Sequence, residues 1–261
     1  MVGSGAHAGV SCRDRPHGRP RFFYDAEVLR AVLLDFNGVL VDDLQVHTRL
    51  LERVLKEEGL PAGAIEELGV SSRNDREVLA SVLEKAGRVI DAAEINSLVG
   101  RKAGYYQEHV RRHGYSFFPG ALELVERASE QGLMLGIVSG ALREEIVQAL
   151  HQSDLRRHFK AIVSAEDVRR GRPHPEIYQR ALEELNNRPP LPERLVHPHE
   201  VLAVDNSPMG LAAAEGAGLV CLGVAHHYEL CQLVTASGAV RSLADVDGRD
   251  LQKIFAEASQ R

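Results

Sequence analysis

The feature that most constrains the fold is a repeated unit, a short and continuously apolar run followed by a segment of helical periodicity. Runs at 31–35 (AVLLD), 134–139 (MLGIVS), 161–164 (AIVS), 201–205 (VLAVD) and 219–224 (LVCLGV) have the pattern of parallel strands. Such strands are buried on both faces and need no alternation with polar residues. Between them, residues 121–131, 144–150 and 176–185 set apolar side chains such as Ile146, Leu150, Ile177, Ala181 and Leu185 at helical spacing, one face of an amphipathic helix. This alternation predicts an α/β fold, a Rossmann-like parallel sheet with helices on both sides.

One stretch breaks the alternation. From Asp43 to Phe118 only helical periodicity is present, at 44–58, 75–86 and 92–112. We therefore expect a helical cap, residues 44–117, inserted into an α/β core made of 25–43 and 118–261. Such an insertion would cover the carboxyl edge of the sheet, where open α/β sheets bind ligands. Residues 1–24 carry Arg13, Arg15, Arg19 and Arg21 but no apolar core, so they read as a disordered N-terminal extension and not as a secretory signal. Residues 250–258 read as a C-terminal packing helix.

Composition narrows the function classes. Among 261 residues the formal net charge is −6, which argues against a duplex nucleic-acid partner, since that requires a basic face. With no Trp and 5% aromatics, single-stranded stacking platforms are also disfavoured. No apolar run approaches the ~18 residues of a membrane span. Cys12, Cys221 and Cys231 form no CxxC pair, so neither a disulfide framework nor a zinc site is indicated. A cytoplasmic globular enzyme, monomeric or weakly dimeric, is the expectation.

The chemistry concentrates at strand ends. The first strand runs into LLDFNGVLVDD, containing Asp35, Asp42 and Asp43, and another runs into VLAVDNSP, containing Asp205 and Asn206. An aspartate that closes a buried strand is costly unless it meets a cation or hydrogen-bond donors. Two from one sheet edge suggest a shared divalent ion, and hard oxygen ligands suit Mg2+. Helix capping is the competing structural role for Asp205 and for Asp42 or Asp43. The run ending in Ser139-Gly140-Ala141 offers a hydroxyl and backbone N–H groups to an anion. Gly171-Arg172-Pro173-His174-Pro175 supplies a fixed cation before a helix, with His174 close enough in sequence to line the same pocket. His197, His199, His226 and His227 lack accompanying ligand spacing and are expected on surface loops.

These segments, in this order, resemble the motifs of the haloacid-dehalogenase-like superfamily, in its beta-phosphoglucomutase-like branch. DFNGVLVDD resembles the first motif, IVSG the second, GRPHP the third and VDNSPMG the fourth. In the inserted block, GVSSRND (with Arg73) and GRKAGYY (with Arg101 and Lys102) resemble cap segments that face the substrate. The resemblance implies a hydrolase that forms an aspartyl-phosphate on Asp35, splitting one hard step into two. It implies that Ser139, Gly140, Ala141 and Gly38 hold the phosphoryl oxygens, that Arg172 neutralises charge, and that Arg73, Lys102 and His174 contact the substrate. It also implies Mg2+ held by Asp35, the Asn37 carbonyl, Asp205 and Asn206.

Three positions depart from that pattern. Asn37 stands where the family carries an acid/base aspartate, and an amide cannot shuttle a proton, a contribution of ~10²–10⁴-fold in rate. Asn206 replaces a metal-binding carboxylate, and Arg172 replaces lysine with a planar fork suited to bidentate contact. The expectation is a Mg2+-dependent phosphohydrolase for a small, sugar-like phosphorylated metabolite, slow on poor leaving groups. Two alternatives stand beside it: a phosphometabolite-binding protein without turnover, and a metal-independent dehalogenase-type hydrolase. A mutase, which needs the proton shuttle, is disfavoured.

Overall fold

A computed structural model describes residues 28–60, 65, 74–246 and 251–259. The extension expected at 1–24 and Arg73 lie outside the described residues. Six parallel strands form one sheet in the order β3-β2-β1-β4-β5-β6. These are β1 (Ala31–Asp35), β2 (Met134–Val138), β3 (Phe159–Val163), β4 (Val201–Asp205), β5 (Val220–Val224) and β6 (Gly238–Val240). The protein is therefore an α/β structure of Rossmann-like type, as its apolar runs predict.

The continuous apolar runs are explained by burial on two sides. Because side chains alternate across a strand, Val32 and Leu34 enter one core cluster while Ala31 and Leu33 enter the other. The first cluster also takes residues from α4 (Ala121–Glu130), α5 (Arg143–Gln152) and α8 (Leu251–Ser259). The second takes residues from α6 (Glu176–Asn187) and α7 (Pro208–Gly216). Two elements carried no signal of their own. Strand β6 is three residues long and none of them is buried, so it leaves no apolar run. Helix α7 reads PMGLAAAEG, whose small side chains make no stripe. It is set instead by its cap, with Ser207 Oγ accepting the Gly210 N–H and Pro208 in the first turn.

Between β1 and α4 come three helices, α1 (Leu44–Glu57), α2 (Asp75–Lys85) and α3 (Ala92–His113). Leu51, Val54, Leu55, Val78, Leu79, Leu83 and Ile95 form a third buried cluster among them. Helix α3 starts with a reciprocal capping box between Asp91 and Glu94 and stops at Gly114. The chain leaves β1 and returns to α4 along adjacent paths, tied by Asp42 N–H to the Ser116 carbonyl (2.8 Å) and Phe118 N–H to the Leu40 carbonyl (3.0 Å). No described helix is long and apolar enough to cross a membrane.

Candidate active site

The strand register assembles the site. Leu34 pairs with Val204 and Asp35 with Val138, so Asp35, Ser139 and Asp205 leave the sheet side by side at its carboxyl edge. The segment between β3 and α6 brings in Arg172. Its Nη1 donates to Asp35 Oδ2 and its Nη2 to Asp35 Oδ1, each at 2.9 Å, and Nη2 also donates to the Val138 carbonyl. Asp205 Oδ2 lies 3.5 Å from Nη1. Asp35 and Arg172 are 2% and 7% exposed, so this is a dry bidentate ion pair. Asp35 Oδ1 takes a second hydrogen bond, from the Phe36 N–H at 2.8 Å. Oδ2 has only the guanidinium, which leaves it a free lone pair. Burial raises the Asp35 carboxyl to about 6 against the opposing pull of Arg172, and Asp205 adds to the rise.

Asp205 is saturated on its own side of the sheet. Its Oδ1 accepts the Ser207 N–H and Oγ–H, both at 2.9 Å, and its Oδ2 accepts the Tyr178 hydroxyl at 2.8 Å. Gly210 lies so close that a Cβ there would stand 2.0 Å from Oδ2. Asn206 is fully buried, with Nδ2 3.4 Å from His227 Nδ1 and Oδ1 without a partner among the described residues. Gly38 closes over it at φ +85°, where a Cβ would sit 2.3 Å from Asn206 Nδ2.

Asn37 is clamped from two directions. Ser139 Oγ donates to its Oδ1 at 3.2 Å, and its Nδ2 donates to both oxygens of Asp43 at 3.0 Å. His47 Nε2 lies 3.2 Å from Asn37 Nδ2 and 3.2 Å from Asp43 Oδ2. Asp43 thus stands at the start of α1 without capping it. Burial would raise its carboxyl, but His47, the Tyr106 hydroxyl and Asn37 outweigh that and hold it below the usual carboxylate range. On the far side of the ring, Lys102 Nζ meets His47 Nδ1. An ammonium can only donate, so Nδ1 is the acceptor toward Lys102 while Nε2 faces Asp43. In the sequence, His47 is one member of the α1 apolar stripe. The available signal was its spacing four residues after Asp43, which stacks the two on one helix face.

Several expectations are corrected. Lys102 is not an open contact for a substrate phosphate. It is fully buried, with Nζ 2.8 Å from Asp75 Oδ2 and 3.7 Å from Glu145 Oε1, as well as against His47. Burial would lower its pKa, yet Asp75 and Glu145 raise it, and the three partners occupy its donors. Ala141 does not offer a free N–H, because that group donates to Ser139 Oγ at 3.0 Å; Gly140 stays half-buried beside it. His174 turns to its own helix, its Nδ1 accepting the Glu176 N–H at 3.2 Å. His226 and His227 are not on a remote surface loop. His226 stacks on Phe118 at 3.8 Å and donates through Nδ1 to the Gly38 carbonyl at 2.9 Å. His227 lies between Asn206 and Asp42, 3.8 Å from the Asp42 carboxylate. Burial lowers the pKa of both rings.

The Mg2+ ligands implied by the sequence do not fit a metal. Both Asp35 oxygens face a guanidinium, both Asp205 oxygens accept neutral donors with Oδ2 also 3.5 Å from Arg172 Nη1, and Asn206 offers one unpartnered oxygen but no charge. Among the described residues, no group of three or more His, Cys, Asp or Glu side chains could hold a metal ion.

Known proteins resemble this chain along most of its length. It is 28% identical over 216 residues to a phosphorylated carbohydrates phosphatase of Thermotoga maritima, covering 81% of this chain and 93% of that protein. It is 25% identical over 212 residues to a phosphoglycolate phosphatase of Yersinia pseudotuberculosis, covering 81% and 87%. A crystal structure of beta-phosphoglucomutase from Clostridium difficile superposes with a TM-score of 0.77 at 19% identity, covering 90% of this chain and 100% of that one. Residues 32–224, which include Asp35, Ser139, Arg172 and Asp205, match one family along their length. With its fold, strand order and aspartate-tipped β1, the chain belongs to the haloacid dehalogenase-like hydrolases.

Proposed function

We propose that this chain is a phosphohydrolase acting on a small, sugar-like phosphorylated metabolite through an aspartyl-phosphate on Asp35. The observation that carries the reading is Asp35 itself, a buried strand-end carboxylate held by a bidentate arginine with one lone pair left free on Oδ2. In the first step Oδ2 attacks phosphorus and the ester P–O bond breaks, its electron pair leaving with the alcohol oxygen. In the second step water attacks the same phosphorus and the Asp35 carboxylate departs. Arg172 neutralises charge on Asp35 before attack and on the transferring group during it. Such positioning and neutralisation supply most of the rate in phosphoryl transfer. Ser139 and the Asn37 amide border the space beside the nucleophile.

Protons are handled away from position 37. The amide of Asn37 cannot donate one to the leaving oxygen. In the second step the attacking water passes its proton to the phosphate being released, since Asp43 is held below the usual carboxylate range and both His47 nitrogens are already engaged. Esters with good leaving groups therefore react faster than alkyl phosphates. Residues 44–117 serve as the cap over the site, with Arg73 as a substrate-distal contact. The names of the similar phosphatases, for phosphorylated carbohydrates and for phosphoglycolate, support this substrate class.

The test is phosphate release by wild type and Asp35→Asn on an aryl phosphate and a panel of sugar phosphates. Wild type should turn over the aryl ester fastest, and Asp35→Asn should be inactive. Equal activity of the two variants would refute the nucleophile. No turnover, with a sugar phosphate still raising the melting temperature, would leave a binding protein; halide release from a haloacid would make it a dehalogenase.

A further inference from the structure

The two amides and the arginine at this site form a single electrostatic change. A pocket with carboxylates at 35, 37, 205 and 206, one cation at 172 and a bound dication would carry a net charge of minus one. At the same five positions this chain has Asp35, Asp205 and Arg172 as charged groups and amides at 37 and 206, which sum to the same charge with no dication. Each side chain is fixed in keeping with that balance. Arg172 takes both oxygens of Asp35 and approaches Asp205, so one guanidinium faces both carboxylates. Asn37 donates to Asp43 and so points hydrogen where a carboxylate would point charge. The Arg172 Nε–H is buried and has no partner among the described residues, a donor still available to an incoming acceptor. The fork also suits a tetrahedral oxyanion better than a single ammonium would.

We propose that Arg172 takes over the role of the divalent cation in this chain, so that its active site binds and transfers a phosphoryl group without metal. The inference rests on the phosphohydrolase reading and says how that site is charged. Substrate dianion, Asp35 and Arg172 form the reacting set. Atoms balance as before: the Oδ2–P bond forms, the ester P–O bond breaks, and the positive charge that stabilises both oxygens stays on the guanidinium.

Binding, measured on the full chain, separates the possibilities. Titrate inorganic phosphate and vanadate by calorimetry and thermal shift, once with EDTA and once with excess Mg2+, and titrate Mg2+ alone. The inference expects the anion dissociation constants to agree within about twofold under both conditions and expects no thermal shift from Mg2+ alone, since only a ligand that binds the native state raises its stability. Arg172→Lys should weaken the anion about tenfold or more with EDTA present, because the bidentate fork is lost while the charge remains. Asn206→Asp, which adds back a hard anionic ligand, should acquire a Mg2+-induced thermal shift. Anion binding that appears only with Mg2+, or tightens more than about tenfold with it, would overturn the inference and leave the phosphohydrolase reading standing. Absence of anion binding under either condition would overturn both.

Discussion

Replacing Asn37 with aspartate exchanges a hydrogen-bond donor for a charge at a position whose surroundings are known. Asn37 Nδ2 lies 3.0 Å from each oxygen of Asp43, so Asn37→Asp sets two carboxylates face to face. Two full charges at that separation repel by about 5.5 kcal/mol at an effective dielectric of about 20. That is about four pKa units at about 1.36 kcal/mol each. Asp43 already has His47 and Tyr106 as donors, so the proton shared by the pair resides mainly on the introduced carboxyl, which stays protonated near neutral pH. It then stands beside the nucleophile as the acid the wild type lacks. Alkyl phosphate turnover should rise by roughly 10²-fold or more, while aryl phosphate turnover changes little.

The same substitution has a stability signature with a definite sign. The new carboxyl has a folded-state pKa above its unfolded value, so its protonated form suits the fold. The deficit relative to wild type is therefore small below about pH 4 and grows as pH rises from there toward the raised pKa. Because position 37 is half-buried, the full repulsion is screened and the deficit should reach about 2–3 kcal/mol. Melting curves of both proteins from about pH 4 to pH 8.5, beside steady-state rates on one alkyl and one aryl ester, measure both effects. The exchange pair Asn37→Asp with Asp43→Asn should restore most of the stability, since it restores one donor and one acceptor. A pH-independent deficit, or an unchanged alkyl-to-aryl ratio, would refute the placement of Asn37 against Asp43 and the missing-acid argument with it.

Other perturbations follow from the same geometry. Lys102→Met leaves Asp75, Glu145 and His47 facing a buried methyl, and should lower stability by about 3–5 kcal/mol in denaturant unfolding; a change under about 1 kcal/mol would show the lysine to be unpaired in solution. Gly38→Ala must place a Cβ at φ +85° and 2.3 Å from Asn206 Nδ2, so it should cost at least about 2 kcal/mol and disturb phosphate binding; wild-type stability would contradict the turn. Attack requires Asp35 ionised, and its carboxyl is raised to about 6, so kcat/KM on an aryl phosphate should fall about tenfold per pH unit below that value. A flat profile down to about pH 4 would contradict it.

The strands and their carboxyl-edge aspartates were legible because burial on both faces writes an uninterrupted apolar run, and a charged residue ending one stands out. Asp35, Ser139, Arg172 and Asp205 could be named from that pattern together with motif order. What escaped was side-chain partnership across sequence distance. Lys102 reads as a cap residue that contacts the substrate, yet Asp75 and Glu145, from two different helices, neutralise it inside the molecule. His226 and His227 follow β5 with no spacing signal, and only the proximity of β5 to β4 brings them to Gly38 and Asn206. His47 was obscured by its own helix, where an imidazole at an apolar stripe position looks like core. The expected metal ligands pose a related question. A strand-end carboxylate is equally consistent with a cation made of metal and one made of arginine, and only the bidentate Arg172 contact distinguishes them.

The central claim is that Asp35 carries the phosphoryl group. The most direct measurement mixes excess enzyme with an aryl phosphate, quenches with acid within the first turnover, and weighs the peptide that contains Asp35. That peptide should gain one phosphoryl group transiently, with EDTA present, and should gain none in Asp35→Asn. Phosphate release at the wild-type rate from Asp35→Asn, with that peptide unmodified throughout, would contradict it.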